Sequence, residues 1–222
     1  MNDIVARLIA RELHVHRRMM LATAIAAALS ALACAFGKIA FNVGSIAWIT
    51  AVIAGGVMLA IYGVANERKE HSLEFILSLP VSIPQYVLAK TLGLLACFAL
   101  PWLAATASAV VLVLASPGIP NGMLPFVVTL CGFLLANFAV VLCAALHARS
   151  EAAMGAAIIL TNMSVSIFMF VVGALPGIRS HIDGDVAVWN GTVLGVLLIE
   201  ALVLALAVAL PQLTVARRRD FL

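Results

Sequence analysis

Six apolar stretches separated by short polar connections organise the 222 residues, at approximately Met19–Phe36, Val43–Ala65, Gln85–Ala115, Met123–Leu146, Ala152–Leu175 and Trp189–Thr214. Each is near or above the roughly 20 residues that a helix needs to cross a bilayer at 1.5 Å per residue. The pattern predicts six membrane-spanning helices. Pro101 falls inside the long third stretch, where it predicts a kink. Turn signals in Ser116–Gly122 and at Pro176-Gly177 separate the later spans.

Composition supports this reading. The chain is 64% hydrophobic and only 10% charged, with a mean hydropathy of +1.16, whereas a soluble domain carries about 25% charged residues. The fold class expected is an all-α integral membrane protein. Placement of charge then gives its orientation. With a cytoplasmic N-terminus, the inside segments hold Arg7, Arg11, Arg17, Arg18, Arg68, Lys69, Lys90, Arg149, Arg217, Arg218 and Arg219, leaving Lys38 and Arg179 outside. Cytoplasmic loops retain Lys and Arg, so both termini are expected in the cytoplasm of a bacterial inner-membrane protein, which an even number of spans satisfies. Membrane lipids, not nucleic acid, are the partners expected for these basic residues. Basic residues ahead of an apolar stretch ending in Ala33-Cys34-Ala35 also fit a cleaved signal peptide. The long basic region and the near-full span length favour a retained first span.

Residues 1–18 read as an amphipathic helix lying on the membrane surface. On a helical wheel Ile4, Val5, Leu8, Ile9, Leu13 and Val15 share one half, while Arg7, Arg11, His14, Arg17 and Arg18 share the other. Glu12 falls within the apolar half. It either snorkels to a neighbouring cation or forms an ion pair with another helix or subunit. The expected organisation is therefore an interfacial helix over 1–18, a six-span domain over 19–215 and a basic tail over 216–222.

The sizeable polar connection lies between spans two and three, Asn66 to Lys90. There Glu67, Glu70, His71, Glu74 and Ser78 line up as a narrow polar stripe, flanked by Leu73, Ile76 and Leu77 on one side and Phe75 and Leu79 on the other. A short helix apolar on both sides of an acidic ridge suits a groove between the membrane domain and a partner. Pro80 ends it, and Ser82 with Gln85 reads as a capping box opening span three. An ordinary amphipathic surface helix is the plain alternative.

The run Glu67-Arg68, Ser72-Leu73-Glu74, Leu77, Leu79-Pro80-Val81-Ser82 and Leu88-Ala89-Lys90 resembles the signature of type-2 ABC exporter membrane subunits (ABC-2-type permeases). Arg11-Glu12-Leu13 and Arg217–Phe221 are similar to that family's cytoplasmic ends. His71 and Ser72 stand where the family usually has Gly and Thr. The resemblance implies that 66–84 is a coupling segment, with Glu67, Arg68, Glu70, Ser72, Leu73, Glu74, Leu77 and Pro80 meeting a separate ABC ATPase. It further implies pairing with a second copy or a related permease, with ATP and Mg bound by the partner subunit and no cofactor on this chain. The implied activity is outward movement of a hydrophobic or amphipathic small molecule, peptide or lipid. The haem-export membrane subunit of cytochrome c maturation and a non-transporting scaffold are the alternatives.

The chain has no GxxxxGK[ST] motif; its Gly37-Lys38 pair is followed by Ile39 and preceded by no suitably spaced glycine. The five histidines show no ligand spacing, and Cys34, Cys97, Cys131 and Cys143 lie in apolar spans without a CxxC. No metal site or catalytic residue is expected. A membrane hydrolase is disfavoured because Ser164 and Ser166 lie near mid-membrane, far from any histidine. Glu200 is the exceptional charge, close to the bilayer centre, where ionisation costs on the order of 2.5–3.5 kcal/mol. It is expected to face protein, with Asn137, Asn162, Thr161, Ser164 and Ser166 at compatible depths as hydrogen-bond partners. A structural interhelical hydrogen bond and a role in substrate or proton handling are its two readings.

Overall fold

The computed structural model describes residues 2–65, 82–148 and 150–214. It is a helical bundle with no strand among the described residues. The six long helices are α1 (Asn2–Ala33), α2 (Lys38–Ala60), α3 (Ile83–Ala115), α4 (Leu124–His147), α5 (Glu151–Ala174) and α6 (Gly191–Thr214). All six are long and apolar enough to cross a membrane. Helices suit that solvent because every backbone hydrogen bond closes within the segment.

Helix α4 occupies the centre, touching α2, α3, α5 and α6, while α1 packs along α3 and α2. The core between them is aliphatic and aromatic, with Phe98 on α3 stacked against Phe138 on α4 at 4.2 Å between ring centroids. Two tryptophans, Trp48 buried and Trp102 half-buried, add polar ties. The Trp48 indole donates to the Ala105 carbonyl at 3.3 Å, and Trp102 donates to the Cys131 carbonyl at 2.8 Å. Helix α3 continues as one element through the buried Pro101.

Local sequence explains the helix ends. Gly37, at φ 109°, adopts a left-handed conformation and links α1 through a short 3₁₀ turn to α2. The Gln85 side chain accepts from the Ser82 backbone N–H at 3.0 Å, which is the glutamine half of the expected capping box. Ser150 caps α5 by accepting from Ala153 N–H at 3.2 Å. Asn190 caps α6, accepting from Thr192 and Val193 N–H at 3.1 Å each. Its amide also donates to the Gly177 carbonyl. Between α5 and α6 the chain forms one helical turn, Pro176–Arg179, whose Ile178 is buried against Val172 and Val193. The Gly122 N–H donates to the Gly184 carbonyl at 2.7 Å, tying this connection to the start of α4.

Helix α1 passes residue 18 without a break. Its 32 residues span about 48 Å, longer than the roughly 30 Å hydrocarbon layer, so part of it extends beyond. Nothing in Arg17-Arg18-Met19-Met20 terminates a helix. Ile4, Val5, Leu8, Ile9 and Leu13 of its apolar half are half-buried, with Ile9 and Glu12 against Gly93 of α3, while Val15 and the basic residues Arg7, Arg11, His14, Arg17 and Arg18 are exposed. At these positions the apolar face meets the protein's own bundle.

We expect Phe98→Ala to lower stability by about 3 kcal/mol, the low end for such a truncation because lipid rather than water solvates the unfolded reference. Unfolding of the detergent-solubilised protein measures this; a change within error means the Phe98–Phe138 stack carries no packing energy.

Candidate functional site

Glu67, Arg68, Glu70, Ser72, Leu73, Glu74, Leu77 and Pro80 lie outside the described residues, as do Arg149 and the basic tail from residue 215. The elements on either side of 66–81 are described. Helix α2 ends in a π-helical turn, Ile61–Ala65, an irregularity that often accompanies functional segments. Helix α3 begins with the Ser82–Gln85 cap, and Tyr86, Val87, Ala89 and Lys90 are buried one to two turns later.

Lys90 is only 2% exposed, and its ammonium donates to Glu12 Oε1 at 3.0 Å. The other carboxylate oxygen, Oε2, is 3.4 Å from His16 Nε2, one helical turn along α1. Glu12 therefore forms the interhelical ion pair that was one of its two readings. Gly93 makes the approach possible: a Cβ there would stand 3.0 Å from Glu12 Cγ and 3.2 Å from its Cβ. Paired and hydrogen-bonded, the two charges hold α1 to α3; with one removed, the other stays buried without its ion-pair partner. Nearby, Gln212 of α6 donates to Thr91 of α3 at 3.3 Å, and His147 of α4 contacts Thr214 of α6 at 2.6 Å. The ends of α4 and α6 thus gather at the level where α1 and α3 are locked.

Glu200 faces protein. It is 7% exposed, about 14 Å along α6 from Gly191. Neither carboxylate oxygen has a hydrogen-bond partner. The carboxyl lies against Gly132 of α4, where a Cβ would fall on Oε2, and beside Leu197. The interhelical hydrogen bond expected of Glu200 is absent because the polar groups of α4 and α5 turn elsewhere. Thr161 bonds the Ala157 carbonyl of its own helix at 2.8 Å. Ser164 donates to the Thr161 carbonyl at 2.6 Å and stands 3.5 Å from Asn137 Oδ1. Ser166 is exposed, and Asn162 Oδ1 is buried without a partner. Gly93 and Gly132 were not singled out from sequence; a glycine facing a buried carboxylate is visible only once the helices are placed.

Among the described residues no group of His, Cys, Asp or Glu is arranged to hold a metal. Two larger cavities have mainly apolar linings. One of about 210 Å³ lies near the α1–α2 turn, lined by Phe41, Trp48, Val113 and Leu130 among others. The other, a groove of about 450 Å³, runs between α4 and α6 from His147 past Val140, Leu206 and Leu210.

Six long apolar helices around a buried core define a multi-pass helical membrane protein. A family model described as ABC-2 family transporter protein matches residues 35–189, and the chain belongs to that family. It is a membrane transporter subunit of the permease type. No curated protein and no solved structure matches the chain. The matched region contains Lys90, Gly93, Gly132, Asn137 and Asn162 and excludes Glu12 and Glu200.

Lys90→Met should destabilise the α1–α3 contact by about 3 kcal/mol by removing the ammonium that Glu12 faces across the helices, and Glu12→Leu in the same chain should recover most of that loss. A double-mutant cycle on unfolding in detergent tests it; additive losses would mean the pair is not coupled. Gly132→Ala should cost about 1–3 kcal/mol through overlap with Glu200, and less in a Glu200→Ala background.

Proposed function

We propose that the chain is the transmembrane subunit of an ATP-driven exporter, working as a dimer with itself or a related permease and docking on separate ABC ATPase subunits. The docking element is 66–84, and ATP with Mg is bound by the partner. The protein resides in the bacterial inner membrane with both termini cytoplasmic, as the distribution of Lys and Arg favours. Its cargo is a hydrophobic or amphipathic molecule carried outward from the cytoplasm or inner leaflet. The mainly apolar linings of the two cavities support that cargo class.

The observation that carries the coupling is the anchoring of the segment's exit. The capped start of α3 leads within two turns to the buried Lys90–Glu12 pair, so a displacement entering at Ser82 moves α3 and α1 together. A flexible exit would dissipate such a displacement.

The test is to extract the chain gently with its ATPase and measure cargo-stimulated hydrolysis. Glu74→Lys and Leu77→Asp should release the ATPase while leaving the melting temperature of the permease unchanged. Recovery of the wild-type chain without an ATPase, or undisturbed docking in both variants, overturns the proposal. Glu200→Gln should assemble normally and lose stimulated hydrolysis; unchanged stimulation removes Glu200 from the transport step.

A further inference from the structure

A small, partly open cavity lies where side chains of four helices meet. Its walls are Val52, Gly56 and their neighbours from α2, Phe98 from α3, Asn137 and Phe138 from α4, and Asn162 from α5. Its volume is about 10 Å³, the order of space that one water molecule requires. A cavity of that size walled only by aliphatic groups stays dry, but this one has two carboxamides in its lining.

Asn162 Oδ1 is buried with no hydrogen-bond partner. Asn137 Oδ1 has Ser164 Oγ at 3.5 Å, a long contact, because the serine proton is directed to the Thr161 carbonyl at 2.6 Å. Each carboxamide offers both a donor and an acceptor, whichever way its oxygen and nitrogen are turned. The complementary ligand is small, neutral and itself both donor and acceptor. A cation would find no carboxylate in this lining and an anion no ammonium. Leaving a buried amide oxygen unsatisfied costs about 1–3 kcal/mol, and a bridging molecule removes that penalty.

We propose that Asn137 and Asn162 form a binding site for a single water molecule that bridges α4 to α5 within the membrane-spanning bundle. The consequence concerns α5. This helix exposes Ile159, Leu160, Met163, Ile167 and Phe170 and is held to the core along its α4 side, where Phe168 stacks on Phe133 at 4.1 Å. A water bridge beside that stack joins α5 to the core through hydrogen bonds that exchange partners without breaking packed side chains.

Hydroxyl-radical footprinting of the full chain in lipid nanodiscs reads the site directly, because radiolysis of a bound water labels the side chains around it. Phe98 and Phe138, only 2% and 3% exposed, should be labelled in the wild type. The label should fall to background in Asn162→Leu. Val52→Ile keeps both amides and fills the space, and it should also abolish the label. An experimental density map should place one isolated peak within hydrogen-bonding reach of both amides. Unlabelled Phe98 and Phe138 in the wild type, label that survives both variants, or a map with no peak there would each overturn the proposal. None of these results depends on the ATPase.

Discussion

In a bilayer, apolar side chains gain little by leaving lipid for protein, so hydrophobicity that inserts a helix does not by itself tell it where to pack. Close backbone approach and buried polar pairs decide instead. Glycines mark several close helix contacts: Gly55 of α2 receives the Thr23 side chain of α1, and Gly56 receives the Phe98 and Phe138 rings. Gly93 and Gly132 admit the stems and heads of Glu12 and Glu200 in the same way. Small residues and the groups they accommodate set the arrangement of the six helices.

These contacts do not treat the helices equally. Helices α1, α2 and α3 share the Glu12–Lys90 pair, the Trp48–Ala105 hydrogen bond and much of the aliphatic core. Helices α5 and α6 leave most of their apolar surface outward and are each applied to α4. Under the proposed function, the subunit transmits a displacement from one end of the membrane and alters a pathway within it. A braced group of helices beside the more lightly held α5 suits that division. Glu200 lies on α6, where movement against α4 would change the surroundings of its carboxyl.

Much of the fold was legible because helix length and apolar content are local properties. All six expected stretches recur as long helices, and the turns at Asn121 and Pro176 occur where the Ser116–Gly122 and Pro176-Gly177 signals placed them. The first helix was less legible. Its amphipathic wheel separates Arg7 and Arg11 from Leu8 and Leu13 equally well for a membrane surface and for a neighbouring helix, so periodicity alone cannot name the partner. Glu12, anomalous on that wheel, was the clue; Lys90, read only as an inside charge and the end of a Leu-Ala-Lys run, is its answer 78 residues away.

The sequence by itself determined the apolar character, the number of membrane-length helices and the position of Glu200 near the middle of the last one, because each follows from counting residues along one helix. It also carried the permease resemblance, through a connection whose chemistry is written in consecutive residues. Tertiary structure alone decided that Lys90 meets Glu12, that Gly132 meets Glu200, and that Asn137 and Asn162 border a common cavity. Those pairings depend on how each helix is rotated about its axis, and in lipid that rotation is set by contacts between distant segments rather than by hydropathy along any one of them.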